Sequence, residues 1–162
     1  MLMKLRTSVV WLLFCTFANV NSALANRLNL ALSCEHSTTI SRQELMNQFP
    51  VTSFTTHLPW DAEPAKFSGV KVSDLTALFA PQKPKILYFS ALNEFRASIE
   101  VNDLVEYQPI IAYSINGDAI SIRKRGPFML LYDLDKFPHL NVPEYHNKMI
   151  WQINEVSIEE CE

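Results

Sequence analysis

Glycine is scarce in this chain: three in 162 residues, at Gly69, Gly117 and Gly126. That excludes the glycine-rich loops that cradle nucleotide phosphates. Cysteine is nearly as rare, with Cys15, Cys34 and Cys161 only. No two of them have zinc-finger spacing, and Cys34-Glu-His36 is the one nearby pair, so a structural metal site is not expected. Positive charge is also limited. Fourteen Lys and Arg face 17 Asp and Glu, for a net charge of −3, which argues against nucleic-acid binding by bulk electrostatics. His36, His57, His139 and His146 are scattered, and none forms a ligand pair at helical spacing. There is no nucleophile elbow and no Ser/His/Asp pattern. Repeats, low-complexity tracts and linkers are absent as well. What remains is 48% hydrophobic and 19% charged, the composition of one compact globular domain.

Residues 1–25 read as a secretory signal peptide. Lys4 and Arg6 precede a short apolar core, and Ala23-Leu24-Ala25 fits the small-x-small cleavage rule. The apolar run falls short of the ~20 residues that span a bilayer, and Phe14 before Cys15 does not suit lipidation. Cleavage after Ala25 leaves a single domain over residues 26–162. It carries 12 basic and 17 acidic residues, a net of −5. The expected location is the periplasm, with no membrane span after cleavage. Two cysteines then remain, and an even count in an exported protein suggests a Cys34–Cys161 disulfide. Closing so long a loop would stabilise the fold by about 4–5 kcal/mol in the chain-entropy model.

The rest of the chain alternates short strands and short helices. Residues 28–32 and 38–40 read as extended pieces. Ser41-Arg-Gln-Glu44 is a capping box that opens a helix ending before Pro50. A strand over residues 51–56 leads into an irregular loop, His57-Leu-Pro-Trp60-Asp-Ala-Glu-Pro64. Ser73 reads as the N-cap of a helix burying Leu75, Leu78 and Phe79. Strands follow at residues 85–89 and 96–101, joined by the turn Ala91-Leu-Asn-Glu-Phe95, and then a short helix capped near Asn102-Asp103. Residues 111–132 read as strand, tight turn, strand, basic loop and buried strand. Asn116-Gly117-Asp118 is the turn. Phe128-Met-Leu-Leu-Tyr132 has no polar alternation and should be covered on both faces. Residues 138–146 read mostly as loop, and a final strand spans roughly residues 149–158. Without a repeating βαβ pattern, the fold class is α+β, with a mixed, mainly antiparallel sheet and short helices.

Several motifs occur in a recognisable order: Phe67-Ser-Gly-Val-Lys-Val-Ser-Asp-Leu75, Ala91-Leu-Asn-Glu-Phe95, Ile111-Ala-Tyr-Ser-Ile-Asn-Gly-Asp118, Arg125-Gly-Pro127 and Ile150-Trp-Gln-Ile153. Together, over residues 38–158, they resemble the oxidoreductase molybdopterin-binding domain, the fold of sulfite oxidase. The resemblance implies that the hairpin and the Gly-Pro turn border a cofactor cleft. It also implies a cysteine thiolate on molybdenum, shortly before the segment like residues 67–75. A soft thiolate suits that metal. Here the window is Phe54-Thr-Thr-His-Leu-Pro-Trp60, which has no cysteine. The fold carries over; the thiolate-held metal does not.

The candidate ligand-binding residues are His57, Trp60, Asn93, Arg96, Arg123 and Arg125. By that resemblance His57 and Trp60, with Thr56, stand where the family places its metal ligand, and the His57 ring offers a hydrogen-bond partner there. Trp60 also suits a plain packing role, and Asn93 a turn-capping one. Arg123 and Arg125 would share one face if the segment were extended, and their planar forks suit oxyanions. The resulting expectation is an exported binding, accessory or sensory module for a small anionic ligand or a periplasmic partner, such as the sensor domain of a membrane protein. It carries no catalytic residues and no expected cofactor. The alternative is a molybdopterin-dependent oxidoreductase, or a subunit of one, that holds the cofactor without a protein thiolate.

Overall fold

A computed structural model describes residues 26–159. The proposed signal peptide and Cys161 lie outside the described residues. The elements form two sheets. The first takes β1 (Arg27–Ala31), β2 (Ser37–Ser41), β5 (Ile86–Ala91), β6 (Arg96–Glu100) and β10 (Ile153–Ser157) in the order β2-β1-β10-β5-β6. Its pairings are antiparallel except β1 with β10, which is parallel. The second takes β3 (Thr52–Thr56), β4 (Ala65–Lys71), β7 (Ile110–Ile115) and β8 (Asp118–Ala119) in that order, with β9 (Met129–Leu131) also pairing β7. All its pairings are antiparallel. The α+β fold with mixed, mainly antiparallel sheets is therefore as expected.

The second sheet is organised around β7, because three strands pair with it. At its end Asn116 and Gly117 both take positive φ, 51° and 91°, as a two-residue hairpin of this hand requires. The unalternating run at residues 128–132 is wholly buried, each side chain at 0% exposure. One continuous core joins the two sheets. Leu28, Leu30, Leu87, Phe89 and Val156 come from the first; Phe67, Val70, Ile111 and Leu130 come from the second. Each such side chain contributes roughly 1.5–3 kcal/mol by leaving water.

The helices are short: α1 (Arg42–Gln48), α2 (Val72–Leu75), α3 (Val101–Tyr107) and α4 (Pro143–Lys148). No helix among the described residues is long and apolar enough to cross a membrane. The capping box at α1 forms as read: Glu44 N–H donates to Ser41 Oγ at 3.2 Å, and Ser41 N–H to Glu44 Oε2 at 2.7 Å. Three readings are corrected. Ser73 lies inside α2, whose N-cap is Lys71 with no side-chain cap bond. The Val72 N–H goes instead to Pro109 O at 2.9 Å, so the residue leading into β7 satisfies the helix end. The N-cap of α3 is Glu100, two residues earlier than Asn102. Residues 138–146 are not mostly loop. They hold a 3-10 turn at Pro138–Leu140 and most of α4, with Pro143 in its first turn, where a missing N–H costs nothing.

Candidate functional site

The loop leaving β3 is fixed by a carboxylate from far along the chain. Thr56 is fully buried, and its Oγ1 accepts the Asp135 N–H at 3.1 Å. Asp135 in turn receives the His57 N–H at 3.3 Å and stands 3.0 Å from His57 Nδ1. The imidazole is 62% exposed, so this pair contributes little to stability. Its effect is to set the direction in which the chain enters Leu58–Pro59–Trp60.

Trp60 then meets Trp151 edge to face, with ring centroids 5.0 Å apart. Arg125 lies against both indoles, its Cζ 4.8 Å from the Trp151 centroid and 5.8 Å from that of Trp60. The same guanidinium binds Asp61: Nη1 donates to both carboxylate oxygens, at 2.9 and 2.8 Å. Its charge is thus neutralised inside the molecule. The backbone beneath is unusual. Arg125 has φ 73° and Gln152 has φ 53°, a left-handed conformation that costs non-glycine residues energy. They are tied together: the Gln152 N–H donates to Arg125 O at 2.9 Å, and Gln152 Nε2 to Ile122 O at 3.0 Å. The Leu92 N–H closes the group on Gln152 O at 3.0 Å. Strained residues persist where the surroundings over-determine them, commonly at functional sites.

The expected site residues are only partly assembled. Trp60 and Arg125 touch, and His57 is three residues before Trp60. Asn93 caps its own turn, accepting the Phe95 N–H at 3.2 Å. It also lines a cavity of about 250 Å³ with Phe95, His146, Met149 and Trp151. Trp151 therefore links Asn93 to the Arg125 group. Arg96 is exposed on β6, beside a shallow hollow with Glu94 and Glu155. Arg123 does not share a strand face with Arg125. Residues Ile122–Lys124 form a 3-10 turn ended by the left-handed Arg125, so the two guanidiniums are not arranged by strand alternation. Asp61, Asp135 and Trp151 were not singled out from the sequence, although Trp151 lies in one of the motifs. Trp60 Nε1 is buried and has no hydrogen-bond partner.

A thiolate-held molybdenum does not fit these residues. The window at residues 54–60 has no cysteine, and its histidine is engaged with Asp135. Among the described residues no three His, Cys, Asp or Glu side chains gather to hold a metal ion. Cys34 is at another end of the fold, its N–H donating to Glu159 Oε2 at 3.3 Å, close in sequence to Cys161.

No protein-family model and no curated protein matches the chain. Among solved structures it is similar to the sulfane dehydrogenase SoxCD from Paracoccus pantotrophus, with a TM-score of 0.60 and 18% identity. The match covers 84% of this chain but 38% of that one. The likeness is one of fold, and the chain spans well under half the length of the dehydrogenase chain with which it shares that fold.

Proposed function

We propose that the chain is an exported binding module of the molybdopterin-binding-domain fold, and that it docks a protein partner in the periplasm through the Trp151 face. One observation carries this reading. The Trp60–Arg125 cluster has its charge balanced by Asp61, while its rim is apolar and open. Leu92, Phe95, Ile122 and Trp151 are 51%, 47%, 40% and 38% exposed, and Leu92 and Ile122 are joined through the Gln152 bonds described above. Aromatic anchors beside an arginine are the usual composition of an interface hot spot. Arg123 and Lys124 on the adjoining turn favour a partner carrying acidic residues there. A membrane-bound sensor domain meets that description, and the occupancy of the face would then report the partner's state.

A photo-crosslinking residue placed at Phe95, in the cell that makes the protein, tests this. We expect one dominant adduct, weakened roughly tenfold or more by Trp151→Ala and less by Arg123→Glu, as for a central anchor and a rim charge. An adduct pattern unchanged by Trp151→Ala would overturn the reading.

The fold likeness to a dehydrogenase favours a second reading, an oxidoreductase subunit that holds molybdopterin without a protein thiolate. Metal analysis of protein purified from its native compartment separates the two. Stoichiometric molybdenum with bound pterin would replace the docking proposal.

A further inference from the structure

A cavity of about 360 Å³ opens between α1, β4 and the β7–β8 hairpin. It shares no lining residue with the Trp60–Trp151 site, and it is of ligand-pocket size. Arg42, Met46, Val51, Ser68, Tyr113 and Ser114 line it. Tyr113 and Ser114 are consecutive residues of β7, and consecutive strand residues ordinarily face opposite sides of a sheet. Both reach this cavity because of a β-bulge. Ser68 pairs with Ser114 and Gly69 with Ala112, which leaves Tyr113 without a partner on β4. Bulges re-aim side chains and recur beside binding sites. Gly69 permits the close approach, since a methyl group there would collide with the backbone of Ile111 and Ala112.

The bulge brings a buried phenol beside an unpaired cation. Tyr113 is 4% exposed, and its hydroxyl is buried without a hydrogen-bond partner, a state that folded proteins rarely tolerate unless something else supplies the bond. Arg42 is near enough to act on that hydroxyl: burial pushes the phenol's pKa up, and the Arg42 charge pulls against it. No carboxylate among the described residues pairs with Arg42. Glu44, on the same helix, is engaged with Ser41. Ser68 Oγ lies 2.9 Å from Ser53 Oγ, adding a polar floor. The apolar side chains of Met46 and Val51, 41% and 55% exposed, supply the remaining wall.

We infer that this cavity binds a small carboxylic acid with a short apolar body. The carboxylate sits on the Arg42 fork and accepts the Tyr113 hydroxyl, and the body lies along Met46 and Val51. A planar guanidinium suits a carboxylate in two-point contact, and the apolar wall selects against inorganic anions.

Hexanoate titrated into the purified protein, followed by the NMR signals of Met46 and Tyr113, tests the inference. Saturable shifts of both are expected, with 1-hexanol and inorganic phosphate binding roughly tenfold more weakly or worse, since each lacks one half of the match. Arg42→Gln should weaken hexanoate by roughly tenfold or more, the effect of losing a charge-assisted contact. Tyr113→Phe should weaken it several-fold, and Lys83→Gln, a remote surface charge, should leave it unchanged. Arg42 begins α1, so thermal melting is run alongside, and Met46→Gln at an exposed position gives an independent loss. Absence of saturation, equal affinity in Arg42→Gln, or equal binding of 1-hexanol or phosphate would each overturn it.

Discussion

Arg125 and Arg42 stand in opposite circumstances. Arg125 is held by Asp61 and lies against two indoles, over a backbone knot of left-handed residues. Arg42 has no carboxylate partner among the described residues and stands beside an unpaired phenol. The first arginine is a structural member whose charge is already answered, and the second is a charge still waiting for its counter-ion. Two arginines that look alike in the sequence therefore support different kinds of recognition: a shaped apolar surface at one, a small anion at the other.

The comparison breaks first on stability. Arg125→Ala removes an ion pair and a cation–π contact and should cost about 1–3 kcal/mol, whereas Arg42→Ala should stay within about 0.5 kcal/mol. Urea denaturation monitored by tryptophan fluorescence measures both. Equal costs would mean that Arg42 has a structural partner after all. A smaller effect sharpens the view of the phenol. Removing a buried hydroxyl that makes no bond should be neutral or slightly stabilising, so Tyr113→Phe is expected to change stability by less than about 0.5 kcal/mol. A loss near the usual value for a bonded hydroxyl, about 1 kcal/mol, would reveal a partner for it in the free protein.

The smallest effect concerns Glu44. Its carboxyl is held below the ordinary range by the Ser41 hydrogen bonds, against an opposing desolvation, with the charge of Arg27 adding the least. A depressed carboxyl stabilises the fold above its ordinary pKa, and that contribution fades as pH falls through the lowered value. An NMR pH titration should find Glu44 titrating below the ordinary glutamate range. It should be unmoved by Arg42→Gln and return towards the ordinary range in Ser41→Ala. Movement with Arg42 would pair the two residues and weaken the case for a waiting charge.

Much of the fold was legible because local rules and tertiary packing agreed. Residues 128–132 carried no polar alternation and are covered on all sides. Asn116-Gly117 made the turn, and Ser41 with Glu44 capped α1. The misreadings fell where a distant group overrode a local signal. Ser73 looked like a cap, but Pro109 satisfies the start of α2. Residues 138–146 read mostly as loop, yet α4 forms there, and its Tyr145 packs edge-on against Tyr107 and Tyr132. The site was harder. Asp61, Asp135 and Trp151 come from three separate segments, and nothing local to each marks it as a neighbour of Arg125 or His57. The bulge at Tyr113 had a trace in the sequence, since Gly69 is one of only three glycines, but the strand facing it could not be aligned residue by residue from pattern alone.

The placement of β10 bears on how the molecule can be made. It lies third in the first sheet, between β1 and β5, yet it is the last of the described strands along the chain. The β1–β2 and β5–β6 hairpins can each close early, from contacts near in sequence, but they cannot become one sheet until residues 153–157 arrive. Pairing of the earliest strand with the latest is slow, because the intervening chain must be brought together before any contact rewards it. Until then the two ribbons present unpaired edges to solvent, the state in which strands are most prone to pair wrongly. Closure of this sheet therefore waits on the docking of residues 153–157 between β1 and β5.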